Sequence, residues 1–214
     1  MDCPGGDGEG PSPRTSSLCR WSASFILDRI MAGRRLQLPT KADLLAARSR
    51  PVPDIIAHGL KVLFCGINPG LYSGAVGHHF ARPGNRFWRV LFEAGFTDCL
   101  LSPYDEELLL PLQYGITNVV NFATARADEL SLEALREGAA LLEKKVREFS
   151  PLVLAVLGID AYRKAFDRPH ARLGRQAETI GATRLWVLPN PSGINASYRM
   201  DDLARLFSEL KEDL

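Results

Sequence analysis

Four short apolar runs constrain this chain more than any other feature: "KVLFCG" (61–66), "GITNVVNF" (115–122), "PLVLAVLG" (151–158) and "TRLWVLPN" (183–190), each interrupted or ended by Gly, Asn or Pro. Their apolar residues fall on consecutive rather than alternate positions. That predicts strands buried on both faces, and therefore a parallel sheet covered by helices. The stretches between them carry a different period. In "SLEALREGAALLEKKVREFSP", Leu132, Leu135, Ala139, Leu142, Val146 and Phe149 step by three and four, with Ser131 placed to cap the helix and Pro151 to end it. "NRFWRVLFEAG" (85–95), "IDAYRKAFD" (159–167) and "DDLARLFSELKEDL" (201–214) fit the same description. The order β-α-β-α-β-α-β-α predicts one α/β domain, a three-layer α-β-α sandwich with a short, mainly parallel central sheet. Its ligand site is expected at the C-terminal ends of the strands.

The 214 residues, 46 % hydrophobic and 24 % charged, suit one globular core, and a net charge of +1 announces no global basic field. Arginine far outnumbers lysine among the 26 cations, which either suits phosphate forks or reflects the base composition of the genome. The four cysteines (Cys3, Cys19, Cys65, Cys99) share no Cys-x-x-Cys spacing, and the four histidines, with only His78 and His79 adjacent, make no metal spacing. No metal and no cofactor are expected. No apolar run approaches transmembrane length, so no membrane partner is expected either. Residues 1–17 are Gly, Pro and Ser without an apolar face and are predicted to be disordered. From Arg14 to Arg35 the chain has five arginines and one acid, Asp28. That is either a weak match to an organellar transit segment or the consequence of a mis-assigned start, with Met31 as the natural beginning. "RPVPD" (50–54) then opens the folded part. The expected organisation is an N-terminal extension, 1–50, and a single domain, 51–214.

Two of the strand ends carry unusual loops: "GINPG" (66–70) after the first and "NPSGIN" (190–195) after the last. In a parallel sheet both emerge on the same edge and can converge on one ligand. Pro and Gly bare the backbone there, and exposed N–H groups suit a phosphate or a base carbonyl.

"GINPG", followed by "GHHFARPGNRFW" (77–88) and then by "LPNPSGIN" (188–195), resembles the mismatch-specific uracil-DNA glycosylase and thymine-DNA glycosylase family of the uracil-DNA glycosylase superfamily. "NPSG" resembles the bacterial G·U mismatch-specific branch, and "GHHF" the thymine-acting branch. The resemblance runs from about Asp54 to the C-terminus. It implies the uracil-DNA glycosylase fold and a monofunctional enzyme that flips uracil out of a G·U mispair and excises it, leaving an abasic site for base-excision repair. Thymine and exocyclic cytosine adducts are implied as secondary substrates. The implied partner is double-stranded DNA with G·U or G·T mispairs, the expected state a monomer. The expected location is the cytoplasm, at a bacterial nucleoid, or a nucleus or organelle if the N-terminus is a transit segment.

The implied roles fall on particular residues. Asn68 is similar to the family's water-positioning residue; its amide can orient water but cannot ionise, so it offers less base assistance than an aspartate would. Phe80 corresponds to the aromatic on which the flipped pyrimidine stacks. The N–H groups of Ile67 and Phe80 are implied donors to the base carbonyls, with Gly70 and Ser73 in the same pocket. Tyr72, larger than the family's usual residue there, either narrows the pocket or meets DNA. His78 and His79 either contact phosphate or cap the loop, His79 being the one expected near the site. Ile194 occupies the position of the apolar wedge, and Gly193 and Asn195 offer backbone groups to the guanine left opposite. Asn85 and Arg86 fix a loop or a phosphate; Ser192 and Arg199 are further candidates for phosphate contacts. Asn118 and Asn121 replace residues often charged in relatives, so nothing carries over there. Asp128 either supplies the carboxylate that Asn68 lacks or caps the helix that starts near Ser131. Two rival readings are a non-catalytic lesion-binding protein and a phosphate-loop enzyme on a small nucleotide. The second is disfavoured because "GINPG" lacks the Lys and Ser/Thr of that loop.

Overall fold

A computed structural model of the chain describes residues 38–214; the expectations for residues 1–37 lie outside the described residues. Each of the four apolar runs forms a strand: β1 (Val62–Gly66), β2 (Tyr114–Asn118), β3 (Val153–Leu157) and β5 (Thr183–Leu188). β1, β2 and β3 are buried along their whole length, as continuous hydrophobicity requires. A fifth strand, β4 (Gly174–Ile180), joins as the antiparallel partner of β5. The sheet order is β2-β1-β3-β5-β4, with β2, β1, β3 and β5 parallel. The chain leaves β1 toward one edge and β3 toward the other, so the crevice where the order switches opens above the ends of these two strands.

Among the described residues the sheet is flanked by α1 (Lys41–Ala46), α2 (Leu71–Val76), α3 (Phe87–Glu93), a 3₁₀ segment (Pro103–Leu112), a short 3₁₀ turn (Ala127–Glu129), α4 (Leu132–Phe149), α5 (Ile159–Ala165) and α6 (Met200–Glu212). One core packs Val62, Phe64, Val153, Ala155 and Leu188 against α3 and α6 through Phe87, Leu91, Leu203 and Phe207. The other packs Leu63, Cys65, Leu154, Val156 and Val187 against α4 and α5 through Leu135, Leu142, Val146 and Tyr162. Alternate residues of each strand feed opposite cores, which makes the three layers. Ser131 caps α4, its Oγ accepting from Ala134 N at 3.0 Å. Leu132, expected on the buried stripe, is exposed at the first turn of α4.

Both sheet edges are managed. Ile55 exchanges main-chain hydrogen bonds with Ile116 at 2.9 and 2.8 Å and so covers part of β2, while β4 alternates polar, half-buried and exposed residues on the other edge. Beneath β2, Lys145 of α4 pairs with Asp54 and donates to Thr117 Oγ1 at 2.9 Å. Before β1, α1 is closed by a capping box between Thr40 and Asp43 and leads into the buried Ala47. No helix among the described residues is long and apolar enough to cross a membrane.

Candidate functional site

The loop after β1 and the loop after β2 run side by side at the sheet's C-terminal edge. Val119 N donates to Gly66 O at 2.9 Å, Val120 N to Ile67 O at 2.9 Å and Thr124 N to Pro69 O at 3.2 Å. Asn68 sits in this seam. Its Nδ2 donates to Thr124 Oγ1 at 2.7 Å, Phe122 O at 3.2 Å and Pro69 O at 3.1 Å. A flipped amide would set Oδ1 against the carbonyl oxygens of Phe122 and Pro69, so the network assigns Oδ1 as the free acceptor. Among the described residues nothing donates to that oxygen. Thr124 in turn donates to Arg126 O at 2.7 Å, so its hydroxyl hydrogen is committed and its lone pair faces Asn68. Ile67 turns its side chain toward Gly158 at the end of β3.

Phe80 adopts a left-handed backbone conformation, φ 51°, which a non-glycine residue holds only when its surroundings over-determine it. The determinants are the residues on either side. His79 N donates to Glu106 Oε2 at 2.8 Å, and Ala81 N to Ser73 Oγ at 3.1 Å. Ser73, expected in the pocket, thus fastens the loop from below. Among the described residues the N–H groups of Phe80, Ile67 and Asn68 have no acceptor, whereas those on either side of Phe80 do. The Phe80 ring stacks on Phe87 with centroids 4.0 Å apart and reaches the residue before Ile67: a Cβ on Gly66 would lie 3.3 Å from Phe80 Cζ and 2.5 Å from Asn118 Oδ1. Only a glycine lets the strand end, the aromatic and the amide of Asn118 meet.

His79 is buried and has a defined tautomer. Nε2 donates to Pro53 O at 2.8 Å, so Nδ1 accepts from Asn118 Nδ2 at 3.3 Å. Burial holds its pKa below the ordinary 6.5, against the opposing pull of Glu106. His79 therefore orients Asn118. His78, half-exposed, places Nδ1 2.7 Å from Glu106 Oε1 and its ring edge-on to Tyr104. Gly70 caps the start of α2 and bridges to Thr124, with Tyr72 half-buried in the first turn of that helix. Asn118, which sequence reasoning set aside, is 5 % exposed and belongs to the same cluster. Nothing in its own motif distinguishes it from a core asparagine.

The loop after β5 packs against the loop that carries Phe80, through Gly84 and Arg86. Ile194, at its tip, is 68 % exposed, unusual for so large an apolar side chain. The loop is internally tied. Asn190 Oδ1 accepts from Ser192 N at 2.9 Å, Asn195 Nδ2 donates to Asn190 O at 3.0 Å, and Ser197 N donates to Asn195 Oδ1 at 3.2 Å. Ser192 and Arg199 flank the tip; Arg199 is exposed at the start of α6, where its N–H donates to Asp202 Oδ2 at 3.0 Å. Asn85 and Arg86 serve the structure of the loops. Asn85 Oδ1 accepts from Phe87 N at 3.0 Å, a turn just ahead of α3, and Arg86 donates to four main-chain carbonyls between Pro191 and Tyr198.

Asp128 meets neither expectation. Ser131 is the cap of α4, and both carboxylate oxygens of Asp128 lie on Arg126, at 3.1 and 2.7 Å, with the carboxylate 63 % exposed. A guanidinium two residues away in the chain forks it at the surface. Among the described residues no cluster of three or more His, Cys, Asp or Glu could hold a metal ion.

The family model for the uracil DNA glycosylase superfamily matches residues 53–214. Among solved structures, the chain is similar to the solution structure of a candidate uracil DNA glycosylase from Methanosarcina acetivorans, with a TM-score of 0.52 at 19 % identity. The similarity covers 76 % of this chain and 98 % of that one. At this identity the likeness concerns the fold.

Proposed function

The chain belongs to the uracil DNA glycosylase superfamily, and from that premise we propose that it hydrolyses the N-glycosidic bond of uracil mispaired with guanine, leaving an abasic site. One observation carries the reading: at the sheet's C-terminal edge the main-chain amides of Ile67 and Phe80 and the amide oxygen of Asn68 are left open, while the amides flanking Phe80 and the NH₂ end of Asn68 are tied down. Such an arrangement suits a leaving group with acceptor oxygens and an attacking water.

In this mechanism the target nucleotide leaves the stack, because its glycosidic bond is out of reach inside the duplex. The base lies on the Phe80 ring, a contact worth about 1–3 kcal/mol. Its carbonyls accept from Ile67 N and Phe80 N as the C1′–N1 bond lengthens and negative charge moves onto the base. The Asn118 amide carries both a donor and an acceptor, the pair that an imide edge requires. Asn68 Oδ1 accepts from a water and aims its lone pair at C1′. The hydroxyl adds there and the remaining proton passes to solvent. Ile194 fills the space that the nucleotide left, with Gly193 and Asn195 toward the opposite guanine. No lysine stands in these motifs to form a Schiff base, so the strand is left uncut. A G·U or G·T pair also costs less to open than a matched pair, which gives part of the preference without any base contact. Thymine and exocyclic cytosine adducts are secondary substrates in this account.

The test is base release from matched oligonucleotides carrying G·U, A·U, G·T and single-stranded uracil. Fastest release from G·U supports the proposal. Equal release from A·U would remove the mismatch preference, and tight G·U binding without release would make the protein a lesion-binding module.

A further inference from the structure

We infer that Arg86 is a positioning residue that holds the apolar tip at Ile194 ready for insertion, rather than a contact to DNA phosphate. This rests on the glycosylase reading above and extends it. Arg86 Nε donates to Pro191 O at 3.3 Å, Nη1 to Tyr198 O at 2.6 Å, and Nη2 to Ser192 O at 2.9 Å and Asn195 O at 2.8 Å. Four of the five guanidinium N–H groups thus converge on carbonyls from both limbs of one loop, leaving little of the fork for a phosphate. Among the described residues no carboxylate pairs with it. Its own N–H completes the clamp, donating to Pro191 O at 3.0 Å.

A second contact seats the same loop. Gly193, next to Ile194, lies so close to Gly84 that a Cβ on it would overlap the Gly84 carbonyl oxygen. Ile194 is therefore exposed on a loop fixed on both sides, its outward position set before DNA arrives. Pre-organisation of this kind removes an ordering cost from the flipping step. The clamp also links the two motifs that form the site: Arg86 belongs to the loop that carries Phe80, and its partners to the loop that carries Ile194. A lysine keeps the charge but gathers its donors at one point and cannot span carbonyls on both limbs.

The test compares wild type, Arg86→Ala, Arg86→Lys and Gly193→Ala on a G·U duplex with 2-aminopurine beside the uracil. It reads excision rate, the fluorescence rise on unstacking, and the salt dependence of binding. Arg86→Lys is expected to lose about tenfold or more in excision and most of the unstacking signal. Gly193→Ala, which disturbs the seat from the other side, should do the same should the arginine variants fold poorly. The salt slope of binding should stay at the wild-type value in all variants. Wild-type excision by Arg86→Lys would overturn the inference, as would a salt slope lowered by about one in Arg86→Ala, the mark of a lost phosphate contact. A wild type that unstacks the duplex but releases no base would instead sink the glycosylase reading and leave the clamp standing.

Discussion

At the residue scale, the site is a set of amides whose orientations are fixed by their neighbours. An asparagine at position 68 reads from the sequence as a weak substitute for an aspartate, and the structure supplies a reason for it. Nδ2 faces two carbonyl oxygens, Phe122 O and Pro69 O, as well as Thr124. A carboxylate there could donate to neither carbonyl and would set like partial charges against each other. Asn68→Asp is therefore expected to lower stability by about 1–3 kcal/mol without raising the excision rate, measured by denaturant unfolding and single-turnover kinetics. His79 gives a pH prediction. Its pKa is held below 6.5 by burial, so the unfolded chain takes up a proton that the folded chain refuses. The His79 contribution is complete above about 6.5 and is lost as the pH falls toward the depressed folded value. Unfolding followed between pH 7.5 and 5.5 should show a loss that shrinks in His79→Gln. Asn68, Phe80 and Ile194 stand out in the sequence because motifs mark them. Asn118 does not, because its placement depends on a tautomer set by Pro53 O, a contact between residues far apart in the chain. The solvent-facing pairing of Asp128 with Arg126 was equally hidden, since a carboxylate near a site looks the same in sequence whichever way it turns.

At the scale of elements, the four apolar strands and the long helix α4 announced themselves because burial on two faces, or on one helical stripe, leaves a periodic trace. β4 did not. "GRQAETI" alternates polar residues on an exposed edge, and its strand character comes from pairing with β5. The 3₁₀ segment 103–112 was missed as well, although it holds the loop that carries the aromatic. The carboxylate of Glu106, buried in that segment, accepts from His79 N and pairs with His78. Glu106→Ala would leave a buried N–H without an acceptor. We expect a loss of about 1–3 kcal/mol in stability together with slower excision, because Phe80 keeps its left-handed conformation only while its neighbours are tied. Unchanged excision in a destabilised Glu106→Ala would separate the loop's anchoring from its function.

At the scale of the molecule, chain that precedes the expected domain start at 51 is in contact with the elements that carry the candidate site. Ser49 N donates to Ala123 O at 2.9 Å and Ala123 N to Arg50 O at 3.0 Å, while Ala47 packs on Gly74 of α2. This segment braces the loop after β2 and the helix that follows the loop carrying Asn68. A chain starting at residue 51 should melt lower and excise more slowly than one starting at 38, in a direct comparison of the two. The contacts were invisible in sequence because residues 40–50 carry only one buried apolar side chain, Ala47. The most direct test of the whole account is single-turnover excision from a G·U duplex by wild type and Asn68→Ala. A loss of roughly 10²–10³-fold in the variant, with duplex binding retained, is the expected result. Equal rates in the two proteins would mean that the water is placed by some other group and that the seam between the first two strand loops is not where the bond is broken.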